Sequence, residues 1–159
     1  MLFFFALLTA VGALTTGVNK DQMAEISYYD NASKLHTAHL QYYIDTSKVQ
    51  FGVKFGVMLY KIQIVDCKAV FSHDVEEYFA AYINIGENCN PQTIIADLEN
   101  HGADFIFINT RKISQANGKL LSNNYPIPVF FIENNEDVFQ FDSNSSHKQY
   151  INIFFLMVI

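Results

Sequence analysis

Basic residues are scarce: ten Lys and Arg stand against sixteen Asp and Glu, for a net charge of −6. The ten are scattered, and nucleic acids and anionic membrane surfaces both need clustered cations to displace counterions, so neither is expected as a partner. Tryptophan is absent, and no internal repeat or low-complexity linker divides the 159 residues. The familiar reactive signatures are missing as well. There is no Gly-x-Ser-x-Gly elbow, phosphate-binding glycine loop, Cys-x-x-Cys pair or His-Glu-x-x-His helix. What the chain does have is apolar material. At 50% hydrophobic and 16% charged it can bury one sizeable core, and a single domain is the expectation at this length. Fifteen Phe and nine Tyr carry no mechanism by themselves and read as a compositional bias.

The most informative stretch is 79–109. Residues 79–85 are an apolar strand, 86–89 a Gly-Glu-Asn-Cys turn, and Asn90-Pro91 a helix start. Asn90 suits the N-cap and Pro91 the first helical position, whose missing N–H would have had no intrahelical partner. Ile94, Ile95 and Leu98 form one apolar stripe, while Asp97, Glu99 and Asn100 point elsewhere. Gly102 is placed to close the helix in the left-handed conformation. Ala103 then opens an apolar run to Ile108 that reads as a strand buried on both faces. The pattern predicts a β-α-β unit.

In this stretch the chain resembles the protease-associated domain, a non-catalytic module of secreted and endomembrane proteins. The resemblance rests on the strand Ala80-Ala81-Tyr82-Ile83-Asn84-Ile85, the turn from Gly86 to Cys89, the helix, Gly102-Ala103, and the strand ending at Asn109. The thirteen-residue step from Cys89 to Gly102 matches the family's spacing, as does the later Ile127-Pro128-Val129 strand before an acidic helix start. Where the family has Arg-Gly before the cysteine, an aromatic two residues after it and Lys five after it, this chain has Glu87-Asn88, Pro91 and Ile94. The similarity spans roughly residues 50–140. It implies an α+β class: a β-rich, open-barrel or sandwich-like fold with the β-α-β unit and flanking short helices. It also implies a binding role. In the family the module caps or regulates attached peptidase domains, or binds cargo peptides in vacuolar sorting receptors, whose first strands the Phe51-Gly52-Val53 and Phe55-Gly56 segments resemble.

The N-terminus bears on the compartment. Residues 2–14 are apolar or small, too short for the ~20 residues of a bilayer span but the length of a signal-peptide core. Cleavage is expected after Ala13 or Gly17, with Val11 and Thr15 upstream; the alternative is a buried N-terminal strand or helix. Sequons at Asn31 and Asn144 agree with entry into the secretory route. In that oxidising lumen Cys67 and Cys89 would pair, closing a loop of ~20 residues worth ~3 kcal/mol on the chain-entropy argument. Two inert thiols, or a Cys89 thiolate activated at the helix N-terminus, remain open.

The chain therefore divides into a leader (1–17), a polar N-terminal segment (18–48) read as coil with short strands, a protease-associated-like domain (49–142) and a closing strand or start of a continuation (143–159). Within the domain, 49–65 reads as a hairpin or two sequential strands, 110–126 as a long loop, and Asn134, Glu136 and Asp137 as the first turn of a last helix. His36 and His39, three apart, read as a solvated pair in preference to a metal site. Ser72-His73-Asp74 reads as a turn or cap, because adjacent residues rarely converge as a triad needs. Glu76-Glu77 and 133–137 read as exposed acidic turns, and Asp97 and Glu99 as solubilising. No catalytic residue, metal or cofactor is assigned. The candidate ligand-binding residues are Arg111, Lys112, Asn124 and Tyr125 of the long loop, which supply charge, hydrogen bonding and an aromatic face beside a rigid sheet.

Three functional readings result. The first is a protein- or peptide-interaction module, secreted or in the endomembrane lumen, touching membranes only through a missing anchor or an uncleaved leader. The second is a thioredoxin-like single-thiol oxidoreductase using Cys89, with Ile127-Pro128 as its proline-led strand. The third is an accessory fragment of a larger peptidase or cargo-sorting receptor.

Overall fold

A computed structural model describes residues 22–44, 49–71, 74–75, 77–85, 89–109, 125–132, 139 and 148–156. The strands are β1 (Met23–Tyr29), β2 (Leu35–Tyr43), β3 (Lys54–Lys61), β4 (Gln63–Val65), β5 (Lys68–Val70), β6 (Phe79–Asn84), β7 (Ala103–Asn109), β8 (Val129–Ile132) and β9 (Lys148–Phe155). One helix, α1 (Pro91–Asn100), stands among the described residues. Seven strands close a barrel in the order β1-β2-β8-β7-β6-β3-β9, and β4 and β5 form a separate hairpin. The barrel is closed where the sequence suggested an open one, and the fold is mostly β. Strands β3, β6, β7 and β8 run parallel; the β2–β8, β2–β1, β1–β9 and β9–β3 contacts are antiparallel.

The central unit is a parallel β6–α1–β7 crossover, with Tyr82 opposite Phe107 and Ile83 opposite Ile108. Asn90 caps the helix by accepting from the Gln92 N–H at 3.0 Å, and Pro91 follows it. His101 ends the helix, and Gly102 turns the chain at φ +99°, donating its N–H to the Glu99 carbonyl at 2.9 Å. A bulge follows at once. Phe79 faces Ala103 but Ala80 faces Phe105, so Asp104 is the extra residue. Because side chains alternate along a strand, that insertion lets Ala103 face the helix while Phe105 faces the barrel interior. Burial pushes the Asp104 carboxyl upward from its ordinary range.

Two cores result, one on each side of the wall. Inside, alternate residues of all seven strands meet, among them Ile26, Tyr42, Leu59, Tyr82, Phe107, Phe130, Ile153 and Phe155. Phe107 stacks on Phe130 at 4.5 Å between ring centres, and Tyr42 meets Phe155 edge-on at 4.9 Å. Phe139 plugs one end against Tyr28, Tyr82 and Phe107. A barrel of about eight strands is just wide enough for side chains to fill it, so this is a packed core and not a channel. The richness in Phe and Tyr thus has a structural use. Outside, α1 lays Ile94, Ile95 and Leu98 over Ala81, Ile83, Ile106 and Ile108.

Several readings of the sequence are corrected. The polar segment is not coil: residues 23–43 are the β1–β2 hairpin, with Ala24, Ile26 and Tyr28 directed inward. Of the two readings of 49–65, the hairpin fails and the two sequential strands stand: β3 joins the barrel, and β4 pairs with β5. With β9 seated between β1 and β3, strands from both sides of the 49–142 division build the same barrel. The short helix expected after residue 133 lies outside the described residues.

Tyr42 is fully buried, its hydroxyl has no hydrogen-bond partner among the described residues, and burial raises its phenol to about 12. An unpaired buried hydroxyl costs free energy, so Tyr42→Phe is expected to raise stability by about 1 kcal/mol in chemical denaturation. The unfolded chain releases that proton near pH 10 and the folded chain near 12. Wild-type stability is therefore full below about pH 10 and falls as the pH rises through this window, whereas the Tyr42→Phe protein escapes this part of the loss.

Candidate functional site

Strands β6, β7 and β8 end at the same rim of the barrel, because they are parallel neighbours. Strand β1 runs antiparallel to β9, which runs antiparallel to β3, so β1 also ends there and β2 begins there. Two polar pairs sit at this rim. The His36 ring, at Nε2, lies 2.7 Å from Asp30 Oδ2 and stacks on Tyr28, with ring centres 5.0 Å apart. Asn109 donates from Nδ2 to the Tyr82 hydroxyl at 3.0 Å. The Phe139 ring lies between Tyr28 and Tyr82, 5.8 Å from each, and links the two pairs.

Asp30 is organised by the turn that it starts. Its carboxylate accepts from the backbone N–H groups of Ala32 and Lys34 at 2.9 Å each, an Asx-type arrangement, and Ser33 takes the left-handed conformation at φ 61°. The bond from His36, then that from Lys34, holds the Asp30 carboxyl below its ordinary value. His36 and His39 do not sit together, because on a strand residues three apart point to opposite sides. His39 instead faces outward and meets Glu25 at 3.3 Å, an exposed cross-strand pair of little energetic weight. Among the described residues no cluster of three His, Cys, Asp or Glu side chains gathers to hold a metal. The rim offers hydrogen-bonding and ionic groups around an aromatic plug.

The proposed ligand residues divide. Arg111, Lys112 and Asn124 lie outside the described residues, as do Asn144, Ser72 and His73. Tyr125 is buried at 4% exposure against the outer core and 6.4 Å from the Phe131 ring, so it presents no open aromatic face. Asn31 sits exposed in the β1–β2 turn. Asp97 does more than solubilise α1, since its Oδ2 accepts from the Ala69 N–H at 3.2 Å and so ties the helix to β5.

Cys67 and Cys89 form a disulfide, with Cα atoms 5.3 Å apart. No free cysteine remains, so the thiolate required by the oxidoreductase reading is not present. The bridge fastens the β4–β5 turn to the start of α1, and the Phe71–His101 ring contact at 4.6 Å braces the far end. Asp66 and Cys67, at φ 51° and 61°, give the turn two left-handed residues, the signature of a tight two-residue hairpin. The rim residues Asp30, His36, Tyr82 and Asn109 were missed in the sequence. Their one readable signal was the alternation through Tyr28, which Ala24 and the outward-facing Met23 obscure.

No protein-family model matches the chain, and no curated protein matches its sequence. Among solved structures, the chain is similar to BSAP, a zinc aminopeptidase from Bacillus subtilis, with a TM-score of 0.41 and 14% identity. The match covers 95% of this chain and 36% of the aminopeptidase chain, so the present sequence spans about a third of that protein's length.

Three outcomes follow from this geometry. Replacing both cysteines by alanine should lower stability by about 2–4 kcal/mol. Cys67→Gly with Cys89→Ala should recover about 1 kcal/mol of that, because glycine accepts the left-handed backbone freely; urea titration measures both. Asp30→Asn should lower the melting temperature at neutral pH, and the difference should shrink as the pH falls through the depressed Asp30 value. A carboxyl held low stabilises the fold only while it is ionised.

Proposed function

We propose that the chain is a non-catalytic protein- or peptide-interaction module of the protease-associated type, working in the secretory or endomembrane lumen. The observation that carries this reading is the parallel β6–α1–β7 crossover, which has the thirteen-residue Cys89-to-Gly102 step of that family and Cys89 bridged at its mouth. The disulfide fits an oxidising compartment. Exposure of Asn31 in a hairpin turn fits a glycan there, and no helix among the described residues is long and apolar enough to cross a membrane. A barrel filled by its own aromatic side chains leaves recognition to its rim and its edges, where a rigid wall holds polar groups in fixed positions.

The test is capture of a partner. Oxidised, purified protein immobilised on resin should retain a reproducible protein from a secretory-compartment extract, and free protein should compete it off. An extract that yields no competed partner overturns the reading. Non-reducing mass measurement of material made through the secretory route should show loss of the leader at residue 13 or 17, glycan at Asn31 and the intact bridge. Unprocessed, unglycosylated protein would remove the compartment.

A further inference from the structure

The outer face of β2, β1, β9 and β3 carries one apolar row. Tyr29 pairs with Leu35 across the β1–β2 ladder, and Tyr150 with Met58 across β9–β3. Two residues beyond the Ser27–Asn152 pair, the β1–β9 register sets Tyr29 opposite Tyr150, where Gln149 donates to the Tyr29 carbonyl at 3.0 Å. Leu35, Tyr29, Tyr150 and Met58 therefore stand side by side across four strands. Tyr29, Leu35 and Tyr150, at 60%, 52% and 53% exposure, are three of the four most exposed large apolar side chains among the described residues. The Tyr150 ring lies across Gly56, where an added Cβ would collide with its hydroxyl, so the ring rests on the sheet with one face outward. The next row along the same strands is small and polar: Thr37, Ser27, Asn152 and Gly56. Asn31 lies at the end of this face, exposed in the turn that Asp30 begins. Asp30 is turned in to His36, so alternation returns Asn31 to the side of Tyr29, two residues or about 7 Å away.

We infer that a glycan on Asn31 folds back over this row, its first sugar seated on the Tyr29 ring between Leu35 and Tyr150. The inference rests on the secretory reading, in which the Asn31 amide nitrogen loses a proton and bonds to C1 of an N-acetylglucosamine, whose lipid-linked diphosphate leaves. Three features select a sugar as the occupant. A pyranose has a face of polarised C–H bonds, which the negative face of an aromatic ring attracts, and an edge of hydroxyl and acetamido groups. The row of Thr37, Ser27 and Asn152 offers donors and acceptors to that edge. Attachment at Asn31 holds the sugar beside Tyr29 at an effective concentration on the order of millimolar, so a contact too weak to retain a free sugar suffices. A second copy of the chain is disfavoured on this face because each carries −6, a charge to which the uncharged core sugar is indifferent. Seated there, the glycan covers an apolar patch that would otherwise favour association between chains.

The test uses the full, oxidised chain from a secretory host, with Ser146→Ala so that Asn31 carries the remaining sequon, beside the same polypeptide made with glycan transfer blocked. The glycan, trimmed enzymatically to its first N-acetylglucosamine, should raise the melting temperature by about 3 °C, and in the Tyr29→Ala protein that gain should fall below about 1 °C. Tyr150→Ala should lose a smaller share of the gain. Val70→Ala, at an exposed position on the β4–β5 hairpin, should lose none. Proton NMR of the glycoprotein with Tyr29 intact should show the first sugar's C–H protons shifted upfield by the aromatic ring current, a readout that needs no variant to fold. An equal gain with and without Tyr29, and sugar protons at their free-sugar positions, overturn the inference while the secretory reading stands. Protein recovered without a glycan at Asn31 removes both. If the unglycosylated chain dimerises, Tyr29→Ala restores the monomer and the glycan leaves the dimer intact, the row belongs to a second copy and the sugar is overturned.

Discussion

Closure of the barrel by β9 is the constraint on which the rest depends. That strand comes last in the chain but lies between β1 and β3, supplying both with their second hydrogen-bonded neighbour. Backbone polar groups cannot be left unpaired inside a fold, and an open wall would leave Phe107, Phe130 and Phe155 against water. With β9 in place, Ile151, Ile153 and Phe155 complete the interior, and the aromatic rings pack edge-on or stacked instead of collapsing at random.

A second layer is built on the outside of the same wall. The Asp104 bulge is what allows β7 to serve both sides, since it sets Ala103 toward the helix and Phe105 toward the barrel. Helix α1 covers β6 and β7, and the β4–β5 hairpin is held to it by a covalent bridge, the Ala69–Asp97 hydrogen bond and the Phe71–His101 contact. Opposite this layer, the outer surface of β1, β2 and β9 is open to solvent, with Tyr29, Leu35 and Tyr150 exposed.

The rim was the least legible part. Asp30 and His36 are six residues apart, and what brings them together is the hairpin turn and the register that sets Tyr28 opposite His36. Tyr82 and Asn109 meet because two strands separated by a helix lie side by side. Inward residues of β2 are His36, Ala38, Leu40 and Tyr42, too mixed in polarity to announce a strand. Tyr125 shows the reverse error: an aromatic residue beside polar neighbours in sequence is drawn into the outer core by Phe131 and Val129.

The amino-acid sequence by itself determined the β6–α1–β7 unit, because every signal for it is local: the Asn90 cap, Pro91 behind it, the Ile94-Ile95-Leu98 stripe, Gly102 at the stop, and apolar runs on either side. Tertiary structure alone decided which strands neighbour one another, that the wall closes, and that Phe and Tyr fill the barrel. These depend on hydrogen bonds and contacts between residues more than 100 positions apart, such as Gln149 to the Tyr29 carbonyl, 120 positions away. No periodicity within a short window records a partner at that distance, since the free energy that selects it is released only when the whole wall assembles.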